Sequence, residues 1–438
     1  MQDLAILKRK ACNIMKPKSQ EFDPNGDFFK QELKEIIDPS HRLCLLADLL
    51  NWEAFEQGFS VYFSDEKGRA ATPSRLIAGL FYLKSLYALS DDQLIHTWVE
   101  NPYWQYLCGE QYFQHDFPID RSTLSLWRKR IGPKGIEKLL TVVLEAASSQ
   151  GYLSARELSR VIADTTVQEK AIRFPTDSWL YYHCREELLA LCGFHFIPVR
   201  QSYVRLAKQA LHQAGRYGHA KQYRRMKKEI KTLKNYLGRV TRDIERYCFE
   251  KELEYPALAE KLGQANRLLT QQKADKGKLY SLHAPEVECI AKGKAHKRYE
   301  FGVKVGLVTT AKAGWILCAK ALHGNPYDGH TLSETLTQAI ANTGITPEYA
   351  YADKGYRGHQ EDRMQVFISG QKRGATAGIK RWMKRRSSIE PIIGHMKQSH
   401  GLGRNYLKGK AGDQINAICA AVGYNLTLLL KRLTPSLA

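Results

Sequence analysis

The sequence predicts a mixed α/β domain, interrupted by a basic helical hairpin and preceded by an all-α domain. Three observations predict it. Helix signatures fill the first 148 residues, strand-like apolar runs appear only after Ser159, and a heptad seam runs through the most cationic stretch of the chain.

The 438 residues carry 66 Lys and Arg against 45 Asp and Glu, a formal charge of +21, with 43% hydrophobic residues. At about 150 residues per domain this allows several domains, each able to bury a core, and excludes wholesale disorder. The charge balance points to an anionic partner. No run of 18 or more apolar residues occurs, so no membrane span and no membrane partner are expected. The opening MQDLAILKRKACNIMK sets basic residues after a very short apolar stretch, the reverse of a secretory signal, and a cytoplasmic location is expected. Nine scattered cysteines without a C-x-x-C pair read as reduced core residues.

In the amino-terminal region, Phe28 to Ile37 and Arg42 to Phe55 read as helices. From Thr72 a stronger helical pattern follows, with Leu76, Ile77, Leu80, Phe81, Leu83 and Tyr87 in register. Ser90 reads as the N-cap of a second helix through Trp98. A third carries Leu124, Trp127, Arg128, Lys129 and Arg130 and stops at Gly132-Pro133, before a further helix from Ile136 to Ala147. Three short helices ending in a basic one predict a helix-turn-helix-like unit in residues 1–148, with Arg128 and Arg130 facing DNA. A solvated basic face is the plainer alternative.

The period changes at SRVIADTTVQ, a β-rich run ending in Asp164, which opens the first part of the core, 149–199. Residues 200–283 form the basic insertion. Between Arg200 and Arg246 stand 14 Lys or Arg and three acids, about half the net charge of the chain. Met226, Ile230, Leu233, Leu237, Val240 and Ile244 form a heptad seam, and Pro256 ends the run before a returning helix. One sign dominates, which favours a nucleic-acid backbone over a dimerising coil, with Arg224, Arg225, Lys227, Lys228 and Lys231 as sequence-independent contacts. The second part of the core, 284–410, adds strands at Tyr299 to Val308, Trp315 to Leu322 and Tyr349 to Asp353, with a helix from His330 to Asn342, and 411–438 closes the chain as a helix.

Asp164 and Asp353 stand at predicted strand ends, and Glu390 stands at a predicted helix start. Three carboxylates from separate segments can hold two hard cations, which suits in-line phosphoryl displacement. Each acid alone is better explained as a turn or cap residue than as a metal ligand. Their surroundings add weight: Lys354, Gly355, Tyr356, Arg357 and Gly358 form a basic turn after Asp353, and Lys397 lies two helical turns after Glu390. Pro391 sets the helix start at Ser387 or Ser388, which leaves open whether Arg386 shares the face of Glu390.

The segments VIADTTVQ, HAPEVECIAKGKAHKRYEFGVKV, YADKGYRG and RRSSIEPIIGHMK, in that order, resemble the DDE transposases of bacterial insertion sequences, specifically the insertion-sequence-five group, and RLIAGLFYLKSLYALSDDQL resembles that group's helical amino-terminal domain. The resemblance implies a ribonuclease H-like mixed-sheet core that binds two Mg²⁺ (Mn²⁺ substituting) through Asp164, Asp353 and Glu390. It also implies DNA partners, namely the element's terminal inverted repeats and the target, with a homodimer on DNA in a bacterial nucleoid. Arg386, Glu390 and Lys397 fall in register with the signature Tyr-x2-Arg-x3-Glu-x6-Lys, which makes Arg386 and Lys397 phosphate contacts; the tyrosine position holds Met383, beside Trp382.

Four other readings compete with this one. Cys184, Cys192 and His195 match no common zinc spacing. His323, Asn325, Asp328 and His330 flank the third strand and could approach the metals, or serve the turn alone. A catalytically silent regulator or an RNA-processing nuclease would share the core. Neither a P-loop nor Gly-x-Ser-x-Gly occurs.

Overall fold

The computed structural model describes residues 31–63, 71–291, 298–371, 374 and 376–434, with 14–15 and 69–70 as backbone only. The start of the expected helix at Phe28 and the KGKAHK stretch, 292–297, lie outside the described residues. The chain divides into two compact units, one of 1–169 with 304–438 and one of 170–303.

In the first unit, short helices α1 (Leu33–Ile36), α2 (Arg42–Leu49) and α3 (Glu53–Ser60) precede α4 (Ser74–Tyr87), α5 (Asp91–Glu100), α6 (Pro102–Leu107) and α7 (Thr123–Ser149). Strands β1 (Ile14–Met15) and β2 (Arg69–Ala70) pair in parallel. Ser90 caps α5 as its sequence implies: its hydroxyl accepts from the Gln93 amide at 3.2 Å while the Gln93 side chain accepts from the Ser90 amide at 3.1 Å. In α7, Gly132 adopts φ 59°, ψ −167°, so two helices meet there at the Gly-Pro stop.

The central sheet of this unit is built from β3 (Arg160–Glu169), β5 (Tyr299–Thr310), β6 (Ile316–Leu322), β7 (Tyr349–Ala352) and β8 (Gln365–Ile368), in the order β6-β5-β3-β7-β8. β6 runs antiparallel to β5, while β7 runs parallel to both β3 and β8. With the helical amino-terminal region and helical insertions, this order and sense make a ribonuclease H-like core. Val161, Ile162 and Ala163 are buried on both faces, as expected for a parallel strand covered on both sides. β3 does not stop at Asp164: its last residues are held by the carboxy-terminal segment, where Asn405 N donates to Glu169 O at 2.7 Å and Gln168 Nε2 donates to Asp413 O at 3.1 Å.

Helix α8 (Ala155–Leu158) leads into β3, and α13 (Asp328–Thr343) packs on β6. The pair α14 (Ala377–Arg385) and α15 (Ile389–Ser399) is joined by a 3₁₀ turn, Arg386–Ser388. The final helix, α16 (Gly409–Leu433), packs against α4, α7 and β6. Its Asn425 and Gln414 side chains bond to the backbone of Ile316, Ala319 and Ala321 at 2.7–3.0 Å, satisfying the free edge of β6. At Gly423 a Cβ would stand 2.1 Å from the Ser85 carbonyl, so the approach of α16 to α4 requires glycine.

The second unit contains α9 (Asp177–Phe194), α10 (Val204–His219), α11 (Tyr223–Glu250) and α12 (Pro256–Thr270), with β4 (Glu288–Ala291) pairing antiparallel with Tyr299–Gly302 of β5. Leu233, Leu237, Val240 and Ile244 of the seam are buried against Leu188, Ala207, Ala265 and Leu268. The seam is thus used within one chain, and more than a hairpin surrounds it. Among the described residues, no helix is long and apolar enough to cross a membrane.

Candidate active site

The register of β3 with β7 places the first two acids. The parallel ladder pairs Arg160 with Tyr349 and ends with Ala163 opposite Ala352, so Asp164 and Asp353 are the next residue on each strand where the pairing ends. Asp353 then stands directly before a 3₁₀ turn, Lys354–Tyr356, without a capping bond from its side chain. Both acids are half-buried. Burial pushes the Asp164 carboxyl up to about 6; the Thr165 amide and the Arg386 guanidinium oppose that rise, while Asp353 and Asp328 add to it. Tyr356, buried beside the same three acids, has its phenol raised well above its usual range by burial first and by their charge second.

The third acid arrives on a helix. Arg386 opens the 3₁₀ turn between α14 and α15, and its guanidinium lies between two carboxylates, 3.4 Å from Asp164 Oδ2 and 3.8 Å from Glu390 Oε1. The face shared by Arg386 and Glu390 is therefore formed across the 3₁₀ turn. Glu390 is far more open than Asp164, with side-chain exposures of 66% and 19%. Lys397 lies half-buried near the end of α15.

Two further residues complete the site. Asp328, in the first turn of α13, accepts from Thr165 Oγ1 at 3.2 Å and from Lys304 Nζ at 3.0 Å; Lys304 also donates to the Pro326 carbonyl at 2.7 Å. A Cβ on Gly355 would stand 3.1 Å from Asp328 Oδ2, so this carboxylate touches segments next to both Asp164 and Asp353. Sequence reading flagged Asp328 but passed over Lys304, whose signal was a lysine inside the buried run YEFGVKVGLV.

The acids have the chemistry for a hard cation, being oxygen donors with one of them substantially desolvated. The Arg386 guanidinium places one positive charge between Asp164 and Glu390. Among the described residues, no group of three His, Cys, Asp or Glu is drawn together closely enough to hold a metal ion.

The remaining sequence-derived positions divide into inward and outward groups. Arg128 is buried and bonded to Asp91 at 3.2 and 2.5 Å, and burial acts against Asp91 while Arg128 and Lys84 hold it down at about 2. Arg130 lies half-buried over the Phe63 ring. Lys354 and Arg357 are exposed beside Asp353, and Arg224, Arg225, Lys227, Lys228 and Lys231 are exposed on α11. Cys184 and Cys192 pack in the helical core, where burial raises their thiols to about 12 and about 11, and His195 stacks on Tyr255. His323 approaches Asp413 at 4.0 Å and His330 packs edge-on against Tyr327, so both have structural contacts.

Comparison with known proteins gives three findings. Residues 31–130 match the family model described as a transposase domain, DUF772, and residues 271–426 match the one described as a transposase DDE domain. The chain is 46% identical over 209 residues to the "Uncharacterized protein ORF8 in nfe locus" of Rhizobium meliloti, a match covering 48% of this chain and 100% of that protein. No solved structure matches.

Proposed function

We propose that this chain, which belongs to the DDE transposase family, cuts DNA at the ends of an insertion sequence of the insertion-sequence-five group and joins the freed ends to target DNA. The observation that carries the reading is the convergence of Asp164 and Asp353 at one end of the β3–β7 ladder, with Arg386 linking Asp164 to Glu390.

Asp164, Asp353 and Glu390 would hold two Mg²⁺, with Mn²⁺ able to substitute. When bound, the ions lower the pKa of an attacking water or 3′ hydroxyl and stabilise the leaving oxygen of the phosphodiester. The protein's own part is positional. The sheet fixes Asp164 and Asp353, and the buried Tyr356 ring closes the floor beside them. Arg386 neutralises the acids in the resting protein and turns to a phosphate of the bound strand, with Lys397 as its partner. Lys354 and Arg357 line the approach.

Domain roles follow the same reading. Residues 1–148 recognise the element ends, 149–199 and 284–410 form the catalytic core, 200–283 supply basic contacts to the DNA backbone, and 411–438 close the fold. Arg130 remains a candidate for DNA contact, whereas Arg128 would first have to leave Asp91. Two protomers act together on paired ends, in the bacterial cytoplasm.

The test is cleavage of duplex DNA carrying the element's ends, in Mg²⁺ or Mn²⁺, by the wild type and by Asp164→Ala, Asp353→Ala and Glu390→Ala. Cutting at the ends that each substitution abolishes, with DNA binding retained, is expected. Specific end binding without cutting by the wild type would instead identify a silent regulator, and cutting by all three variants would place the active site elsewhere.

A further inference from the structure

At the other end of the same ladder lies a cavity of about 680 Å³ that none of the proposed chemistry uses. Arg156, Arg160, Lys312, Arg381, Lys384 and Arg385 line it together with Trp382, and the one acid in its wall is Glu157. Hydrogen bonds fix that wall. Glu157 Oε1 accepts from the Ala313 amide at 2.5 Å, and Arg385 donates to the carbonyls of Ala311 and Lys312 at 2.8 and 2.9 Å. Arg160 lies over the rings of Tyr349 and Trp382, 4.9 and 5.5 Å from their centres, and Trp382 stacks on Tyr351. Arg156, Lys312, Arg381 and Lys384 are exposed, and among the described residues no carboxylate pairs with them.

Concentrated positive charge around an indole, inside a concave site, matches a ligand with both phosphate and a flat ring. A duplex offers phosphates to a surface but cannot enter such a cavity. An unpaired nucleotide can, with its phosphate on the cations and its base on the aromatic platform.

Two rulers relate the cavity to the acids. Arg160 precedes Asp164 by four strand residues, about 13 Å. Trp382 precedes Glu390 by eight residues of nearly continuous helix, about 12 Å. Both correspond to the axial rise of about four nucleotides of duplex DNA.

We propose that this cavity binds an unpaired nucleotide of the DNA strand that runs across the acids, with the base against Trp382 and the phosphates on Lys312, Arg381 and Lys384. The proposal rests on the reading that the chain acts on DNA. Its test measures binding alone, so failure to cleave leaves it independently decidable.

The full-length protein is titrated in EDTA against labelled oligothymidylate of about 12 nucleotides, within the span such sites cover, and against a blunt duplex of matching length. Trp382→Ala is expected to weaken oligothymidylate binding at least about fivefold while duplex affinity stays within about twofold of wild type. The combined change Lys312→Gln, Arg381→Gln and Lys384→Gln is expected to weaken the same binding and to reduce its salt slope by about 2, at about 0.7 per lost phosphate contact. If Trp382→Ala loses its cooperative melt, the triple variant, whose three side chains are exposed, decides. Failure of the wild type to bind oligothymidylate overturns the proposal. So does equal weakening of both probes, or unchanged binding by folded variants.

Discussion

The two ends of the β3–β7 ladder are four residue pairs apart and electrostatically opposite. At the carboxyl end Asp164 and Asp353 emerge side by side with Asp328 close by, and burial holds Asp164 at about 6. At the amino end Arg160 and Arg385 are accommodated by aromatic faces and turn carbonyls. The difference lies in how each charge is answered. The protein supplies neutral partners for its locked cations, whereas its acids are answered by charge, Asp164 by the Arg386 guanidinium and Asp328 by the Lys304 ammonium, with the repulsion that Asp353 and Asp328 exert on Asp164 left in place.

The largest expected effect separates ligands from their supports. Asp164→Ala or Asp353→Ala should lower end cleavage by more than the roughly 100-fold that outer partners of a metal site usually cost, whereas Asp328→Asn should fall within about 10- to 100-fold. Single-turnover cleavage, at DNA concentrations that saturate binding, reads both. Equal losses would place Asp328 among the direct ligands.

The acid end should also be measurably unfavourable without metal. Asp164 has a carboxyl raised in the folded protein, so the stability tied to its neutral form is fully present below about pH 4 and is lost as the pH rises through about 6. Asp164→Asn abolishes that loss. In EDTA at pH 8 the variant should be more stable than wild type by about 3 kcal/mol, from about two units at about 1.4 kcal/mol each, and the gain should vanish near pH 4. Urea melts at both values measure it. A gain independent of pH would show that the asparagine acts through packing.

How much of this was legible in the sequence depended on whether the signal was local. The Ser90 N-cap, the stop at Gly132-Pro133 and the seam through Leu233 and Leu237 are short-range patterns, and each has its counterpart in the structure. The candidate acids could be named from their strand and helix contexts. Their relations could not, because Asp164 meets Arg386 across 222 positions and Thr165 meets Asp328 across 163. Strand β8 was missed because QVFI is only four residues long, too short for its period to stand out even with Ser369-Gly370 turning after it. Burial of Arg128 was missed for a related reason: a basic helix face looks the same in sequence whether Asp91 covers it or solvent does.

The smallest expected effect tests whether the cationic end is independent of the acids. Arg385 donates to two carbonyls of the turn between β5 and β6, while its chain neighbour Arg386 faces Asp164. Arg385→Gln should cost about 1 kcal/mol, the usual net worth of a hydrogen bond, since the Lys312 carbonyl belongs to an exposed residue and regains water. That cost should stay constant between about pH 4 and pH 9, because arginine keeps its charge throughout. Urea melts across that range provide the check. A cost that grows between about pH 4 and pH 6, where Asp164 ionises, would mean that movement of Arg385 carries Arg386 with it, so that the two ends of the ladder are coupled through α14 and α15.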